Sequence, residues 1–471
     1  MLPGSSRASD FPAISRNWAI QEPPYLLLYK VMFRAALCGI ALCNLCIGLA
    51  GENNWYALRR HALLEQIGGA VAVLRGAPGP GAYVPFRQDN NFYYLTGVDV
   101  PGAVLLLDGV QQCAILFLPP RDAGKERWEG PRLLPGPEAR RATGVDAVLE
   151  ISELDAELAR RLQAGRALYT PLTPYETAAA SRDRLLEHAA ERRDDPWDGR
   201  PSREAAFRDA LVETFGTRAP IRDLAPLLDA LRRVKDSREI ALLREAGRVG
   251  ALGLKEAMRS AKPGMYEYQL AAVAEFVFLW HGASGAAFYP IVGSGPNSCI
   301  LHYHRNHRRM EAGDIVVLDF GPDCGQYVSD VTRTFPVSGR FGKDQADVYR
   351  IVLEAQKAVV AAVRPGATFE GLERAAAEVF DAYGCGRHAL HAIGHHVGMA
   401  VHDVGGTGTL AAGNVIAVEP GLYMPEKNLG VRIEDTVLVT GEGCEILTGD
   451  VPKEIDAIEK LMASGRAGAG E

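Results

Sequence analysis

The sequence predicts an α+β protein of two domains, the second built by internal duplication. Three observations carry this. Over roughly the first half, short apolar strand-like runs alternate with amphipathic helices. Beyond residue 234 the chain repeats itself: PGMYEYQLAAVAEFVFLWHG at Pro263–Gly282 aligns without a gap on PGATFEGLERAAAEVFDAYG at Pro365–Gly384, and AGDIVVLDFG at Ala312–Gly321 aligns on AGNVIAVEPG at Ala412–Gly421. The offsets are 102 and 100 residues, so the register barely drifts. Third, each copy ends its apolar run on an acidic residue, Asp319 in the first and Glu419 in the second. A duplicated unit fixes the architecture: two sets of helices and antiparallel strands face each other across a pseudo-twofold axis, with matched helices covering one curved sheet.

The elements follow in order. Residues 54–68 read as a helix (Trp55, Leu58, His61, Leu63, Leu64, Ile67) stopped by Gly68-Gly69. Strand-like runs come next at Ala70–Leu74, Ala103–Leu107 and Cys113–Leu118, with turns at 76–81 and at Asp108-Gly109. Helical stretches at 152–164 and 203–215 alternate with a short apolar run at 167–172, and the charge-rich Arg182–Arg203 reads as a solvated helix leading into a surface loop. An amphipathic helix at 222–234 and a long helix at 238–260 flank Lys235-Asp236-Ser237, which places the domain boundary near 234. The expected division is an α/β domain over 51–233, the duplicated domain over 234–460 and a flexible tail over 461–471.

Residues 1–50 form a leader. Lys30, Met32 and Arg34 precede the small-residue apolar run Ala35–Ala50, which ends Gly48-Leu49-Ala50. Basic flank, run length and small-residue ending together match a signal peptide over 32–50. The run is too short, and interrupted by Asn44, for a membrane span. The expectation is an exported or periplasmic protein with no membrane contact in its mature form, starting near Gly51; a cytoplasmic protein is the alternative. The net charge of −7 gives no reason to expect nucleic acid or anionic lipid. The 8 cysteines are scattered, their one C-x-x-C spacing, Cys43–Cys46, falling inside the apolar run of the leader, so neither a disulfide framework nor a structural zinc is indicated.

The chemistry concentrates on Ala312–Thr334, AGDIVVLDFGPDCGQYVSDVTRT, where Asp330 follows Asp319 across the turn-forming Pro322-Asp323-Cys324-Gly325. A hairpin tipped at Cys324-Gly325 sets the two carboxylates directly opposite, with Cβ atoms about 4.5–5.5 Å apart. They repel at that range, and a cation between them reverses the sign of the interaction. The pair recurs in the second copy, where Glu419 and Glu434 flank the turn Pro425–Gly430. His391, His395 and His402 lie in HAIGHHVGMAVHDVGG, and His302 holds the corresponding place in GSGPNSCILHY. Alone, a strand-end Asp caps a turn and a histidine is structural; recurrence in both copies outweighs that bland reading. The spacing turns His396 elsewhere, and His304, His307 and His388 are left to the surface or to places behind the ligands. Four carboxylates and one imidazole suit two divalent ions such as manganese, cobalt or ferrous iron rather than a tetrahedral zinc. Such centres activate hydroxide for hydrolysis. Arg432, two residues before Glu434, shares its strand face and is placed to hydrogen-bond a ligating carboxylate.

The order ILHY, LDFG…YVSDVTRTFPV, HAIGHHVGMAVHDVG, VEPGLY and VRIED resembles the pita-bread metallopeptidases, which include methionine aminopeptidase, prolidase, aminopeptidase P and creatinase. Upstream, VPFRQDNNFYYLTGVDVPGAVLLL, ILFLPPRD and ERWEGPR resemble the N-terminal domain of aminopeptidase P, so the likeness spans about residues 54–455. It implies a C-terminal pita-bread fold behind an α/β creatinase-like domain. By the same resemblance Asp319, Asp330, His395, Glu419 and Glu434 hold a dinuclear manganese centre, with Asp330 and Glu434 contacting both ions or the bridging solvent. His302, His391 and His402 line the substrate site, and Glu419 moves the proton from the attacking hydroxide to the leaving nitrogen. The implied substrates are peptides with proline in second position, and the implied assembly is a homodimer or tetramer. A prolidase-like dipeptidase and a non-catalytic peptide-binding pseudo-enzyme are the alternatives. Two departures stand out: Asn90-Asn91 where the family commonly has Ser-Asp, which removes an acidic group expected at the site's entrance, and a short segment over 405–412.

Overall fold

The computed structural model describes residues 52–467 apart from 82, 163–164, 177, 180–181 and 217. The expected leader over 1–50, with its signal-like stretch, lies outside the described residues. Among the described residues no helix is long and apolar enough to cross a membrane.

The N-terminal part is a six-stranded sheet with strand order β4-β3-β2-β1-β5-β6. Its strands are β1 (Val71–Arg75), β2 (Val104–Asp108), β3 (Cys113–Leu118), β4 (Ala147–Glu150), β5 (Leu168–Thr170) and β6 (Ile221–Asp223). β2 pairs antiparallel with both β1 and β3, whereas the outer pairs run parallel. Both faces of β1–β3 are buried, which is why these runs read as continuous apolar stretches rather than alternating ones. Helices Glu52–Ile67, Leu154–Arg161, Arg182–Asp194, Arg203–Phe215 and Ala225–Arg233 fall on the expected stretches. Three short helices were not legible, Asn90–Thr96, Ala123–Glu129 and Pro137–Thr143; the first starts because Asp89 accepts from Phe92 N at 2.8 Å, and ends at Gly97 with φ 63°.

Beyond it, Asp236 caps the helix Ser237–Ser260. Its carboxylate accepts from the Arg238 and Glu239 amides, while Glu239 reaches back to Asp236 N. That helix packs on Glu267–Trp280, and Lys343–Ala362 packs on Phe369–Ala382. The second helix of each pair is 14 residues long, and the two begin 102 positions apart, at 267 and 369, as the repeat requires. The expected tail at 461 instead continues a last helix, Ile455–Ala467, whose Ile458 and Met462 are fully buried against the helices.

Each copy of the repeat contributes one long hairpin that is broken in the middle. In the first, β9 (Ile315–Asp319) pairs with β12 (Thr332–Pro336) and β10 (Pro322–Cys324) with β11 (Tyr327–Val328), while β8 (Ile291–Ser294) flanks β9 and β7 (Gly285–Ala286) flanks β10. In the second, β13 (Val415–Val418) pairs with β16 (Asp435–Val439) and β14 (Gly421–Met424) with β15 (Leu429–Arg432), and β17 (Cys444–Ile446) follows β16. One register runs through each break: Phe320 N donates to Val331 O at 3.2 Å, and Ile433 N to Pro420 O at 3.3 Å. The breaks fall at Asp319–Asp330 and at Glu419–Glu434. There the backbone leaves ladder geometry and the carboxylates turn inward.

The register of the first hairpin differs from the expected one. Cys324 pairs with Tyr327, so the tip is Gly325-Gln326, and Asp319 faces Thr332 rather than Asp330. The cause is the turn. A two-residue tip of the favoured primed type needs positive φ at both central residues. Gly325 (φ 60°) and Gln326 (φ 72°) supply it, the Gln326 amide donating to Asp323 Oδ1 at 3.1 Å. The shift is two residues, an even number, so Asp319 and Asp330 remain on one face as diagonal neighbours. In the second hairpin Glu419 and Glu434 are directly opposite, as the pairing of Val418 with Asp435 and Gly421 with Arg432 requires.

Candidate metal centre

Asp330, His395 and Glu434 come together so that one ligand atom from each lies within 4.8 Å of the others. His395 arrives on an extended segment zipped to β13, through Ala417 N to His395 O at 2.8 Å and Glu419 N to Ile393 O at 2.9 Å. Gly394 is required there, because a Cβ would lie 2.0 Å from Ala417 O. The alternation points His395 at the centre and His396 away from it, its ring against Phe369 at 5.4 Å.

His395 Nε2 lies 3.5 Å from Asp330 Oδ2 and 3.6 Å from Glu419 Oε1. Burial, with His402 next, lowers the His395 pKa to about 3, so the ring is neutral and these contacts are not ion pairs. Its Nδ1 faces His396 O at 3.1 Å. The proton therefore sits on Nδ1, and Nε2 presents a lone pair to the carboxylates. Burial first, then Glu434, Asp319 and Glu419, raises the Asp330 pKa well above its ordinary value; burial, Asp319 and Glu419 do the same to Glu434. Glu419 is raised to about 8 by burial, with Arg432 opposing and Asp319 adding to the rise. Asp319 Oδ1 and Asp330 Oδ1 are buried without a hydrogen-bond partner. Crowded carboxylates, unpartnered oxygens and an imidazole lone pair aimed among them are what a divalent cation satisfies. The residues fit the metal.

Arg432 closes the other side. From 3% exposure it donates to Asp319 Oδ2 (2.7 Å), Tyr423 OH (2.9 Å) and Thr332 Oγ1 (3.2 Å), and the Thr332 hydroxyl in turn donates a hydrogen bond to Glu434 Oε2 at 2.7 Å. Burial works against the Arg432 charge, but Tyr423, Asp319, Glu419 and Glu434 outweigh it and keep the guanidinium protonated. Tyr423 OH lies 2.8 Å from His391 Nε2, and His391 Nδ1 lies 2.9 Å from Ala392 O. Because Arg432 donates to the phenol oxygen, Tyr423 donates to His391 Nε2 and the His391 proton rests on Nδ1. Burial and Arg432 lower the His391 pKa to about 4. His391 Nδ1 is 3.8 Å from Glu419 Oε2. His402 stacks on His395 with ring centroids 3.7 Å apart. His302 sits farther out, near enough for Asp319 and Arg432 to influence a pKa lowered chiefly by burial, with its ring stacked at 6.2 Å on His304.

Tyr423 and Thr332 were missed from sequence. Period-two alternation carries a signal for both: Tyr423 shares a face with Glu419 and Gly421, and Thr332 with Asp330. Asn90 and Asn91 are not at an entrance. Both are buried, the first accepting from Arg87 and the second from Arg232 at 2.7 Å each, so amides there satisfy arginines.

Residues 241–441 match Metallopeptidase family M24 and residues 56–169 match the aminopeptidase P N-terminal domain. Xaa-Pro aminopeptidase of Escherichia coli (strain K12) is 34% identical over 448 residues, covering 87% of this chain and 97% of the relative. The Haemophilus influenzae Xaa-Pro aminopeptidase is 36% identical over 416 residues, covering 80% and 89%. Among solved structures, aminopeptidase PepP of Pseudomonas aeruginosa superposes with a TM-score of 0.75 at 32% identity, and E. coli aminopeptidase P with the inhibitor Pro-Leu at 0.74 and 31%; each match covers 88% of this chain and 99% of the other. The fold is the expected α+β pita-bread domain behind an aminopeptidase P N-terminal domain. With this architecture and this cluster of acidic and imidazole groups, the chain belongs to metallopeptidase family M24, within its Xaa-Pro aminopeptidase branch.

Proposed function

We propose that this protein releases the N-terminal residue from peptides whose second residue is proline, using two divalent metal ions, of which manganese is the first choice and cobalt or ferrous iron are substitutes. The observation that carries the reading is the convergence of Asp330, His395 and Glu434 within 4.8 Å, with the unpartnered Asp319 Oδ1 and Asp330 Oδ1 beside them. Asp319, Asp330, His395, Glu419 and Glu434 would hold the ions, which supply Lewis acidity toward the scissile carbonyl and an activated water at neutral pH.

The chain's own groups do the rest. Glu419, whose carboxylate lies 3.6 Å from His395 Nε2 and 3.8 Å from His391 Nδ1, would with the ions bound be the ionised group that accepts the proton of the attacking water and returns it to the departing proline nitrogen. Arg432 fixes Asp319 directly and Glu434 through Thr332, so one guanidinium orients acidic groups from both copies of the repeat. Through Tyr423 it also fixes the His391 ring. His391, His402 and His302 line the space where the substrate lies. In this conformation His391 spends both ring nitrogens on Ala392 and Tyr423, so donation to a substrate oxygen requires it to release Ala392. A homo-oligomer is part of the same proposal and is checked by light scattering.

The testing experiment compares the tripeptide Arg-Pro-Pro with the dipeptide Arg-Pro in manganese. Arginine release from the tripeptide is expected; turnover of the dipeptide alone would establish a prolidase-like enzyme instead.

A further inference from the structure

The segment from His396 to Asp403 carries His402 and is closed on itself by Asp403 N donating to His396 O at 2.8 Å. The N-terminal domain grips it at three alternating positions. Arg87 NH2 donates to Met399 O at 3.0 Å, Val401 N donates to Ala178 O at 2.8 Å, and Arg232 NH2 donates to Asp403 Oδ1 at 2.5 Å. His402 lies between the second and third of these grips, with its ring flat on His395.

Arg87 does more than hold the segment. Its Nε donates to Asp323 Oδ2 at 2.5 Å and its NH2 also reaches Gln326 O at 3.3 Å, both at the tip of the hairpin that carries Asp330. Asn90 Oδ1 accepts from its NH1 at 2.7 Å and holds the guanidinium in place. One side chain of the N-terminal domain thus ties the first metal hairpin to the histidine segment. The direct link between those two is Val328 N to Gly398 O at 2.9 Å. A planar fork with donors fixed in direction suits such bridging, and an ammonium does not reproduce it.

We infer that Arg87 is a positioning residue: the N-terminal domain acts in catalysis by setting where His402 stands relative to the centre, and Arg87 transmits that constraint. The inference rests on the proposed peptidase reading, in which His402 lines the substrate. Displacement of a substrate-orienting group by about 1 Å costs on the order of 10²-fold in rate. Arg87 touches none of the five proposed ligands, so its loss acts on turnover and leaves the ions in place.

The test is a double-mutant cycle on the full-length, metal-loaded enzyme, using Arg-Pro-Pro and reading kcat, KM and bound manganese. Arg87→Ala is expected to lower kcat by one to two orders of magnitude, roughly the cost of such a displacement, with bound metal unchanged. In the His402→Ala background, removing Arg87 is expected to cost less than about threefold further, because residues acting through one another do not add. Arg87→Lys keeps the charge beside Asp323 without the fork and is expected to show the same loss, which keeps the test open if the alanine variant fails to fold. Multiplicative losses in the cycle, a His402→Ala enzyme as fast as the parent, a lysine variant with parental kcat, or metal lost in step with activity would each overturn the inference. An inactive parent enzyme fails the peptidase reading itself, and is read without any variant.

Discussion

Removing the metal should make the stability of this protein fall as pH rises through neutrality. The buried carboxylates are then left facing one another, and Glu419, with a pKa of about 8 against an ordinary 4.5, shows the size of the effect. A carboxyl whose folded pKa is raised keeps a proton that the unfolded chain releases, so folding is favoured at low pH and that advantage is lost as pH climbs to the folded pKa. For Glu419 alone the loss between pH 6.5 and 8 is roughly 1–2 kcal/mol, or roughly 2 °C in melting temperature. His391 and His395, depressed to about 4 and about 3, act in the opposite sense, but only below pH 6.5. Glu239, raised to about 7 by burial, titrates in the same window whether or not metal is bound. The quantity to measure is therefore the difference between melting curves recorded with chelator and with saturating manganese. The chelated protein should lose roughly 2 °C from pH 6.5 to 8 relative to the loaded one, whose ligands must be deprotonated to bind. Parallel curves would refute the reasoning, because they would mean that burial, with the neighbouring Asp319 carboxylate, does not hold a proton on Glu419 that a cation would displace.

Asp330→Asn should abolish metal-dependent hydrolysis while leaving the circular dichroism of the parent; near-normal turnover would remove Asp330 from the ligand set. Arg432→Met deprives Asp319, Tyr423 and Thr332 of their shared donor, and should weaken manganese binding by roughly 10–100-fold in competition titrations. Thr332→Val breaks the link from Arg432 to Glu434 that runs through its hydroxyl; a smaller loss of metal affinity than for Arg432→Met is expected, with stability lowered by about 1 kcal/mol in urea titrations. Gly394→Ala forces a methyl within 2.0 Å of Ala417 O, so the segment bearing His395 should peel from β13 and metal content should fall, as elemental analysis would report.

Much of this arrangement was legible because duplication leaves a signal that single motifs do not. The offset of 102 between Pro263–Gly282 and Pro365–Gly384 located both covering helices, and the matched apolar runs located β9 and β13. The carboxylate pairs followed from the same alignment, and the face of His395 against that of His396 followed from alternation. The hairpin tip was misplaced because the proline of Pro322-Asp323-Cys324-Gly325 drew the turn forward, whereas the fold uses it to begin β10 and turns at Gly325-Gln326. The last helix was hidden by the small, polar composition of its end. Arg87, Asn90, Asn91, Arg232 and Asp403 form contacts between residues up to 312 positions apart, and neither period nor spacing encodes a pairing that tertiary packing alone creates.

The most direct measurement strips the protein with chelator, reloads it with manganese and follows amino-acid release from Arg-Pro-Pro beside a metal count. A five-ligand centre made by both halves of the repeat gives two bound ions per chain, arginine release that returns on reloading, and none from the stripped protein. Two bound ions with no release of arginine, or release undiminished by the chelator, would contradict it.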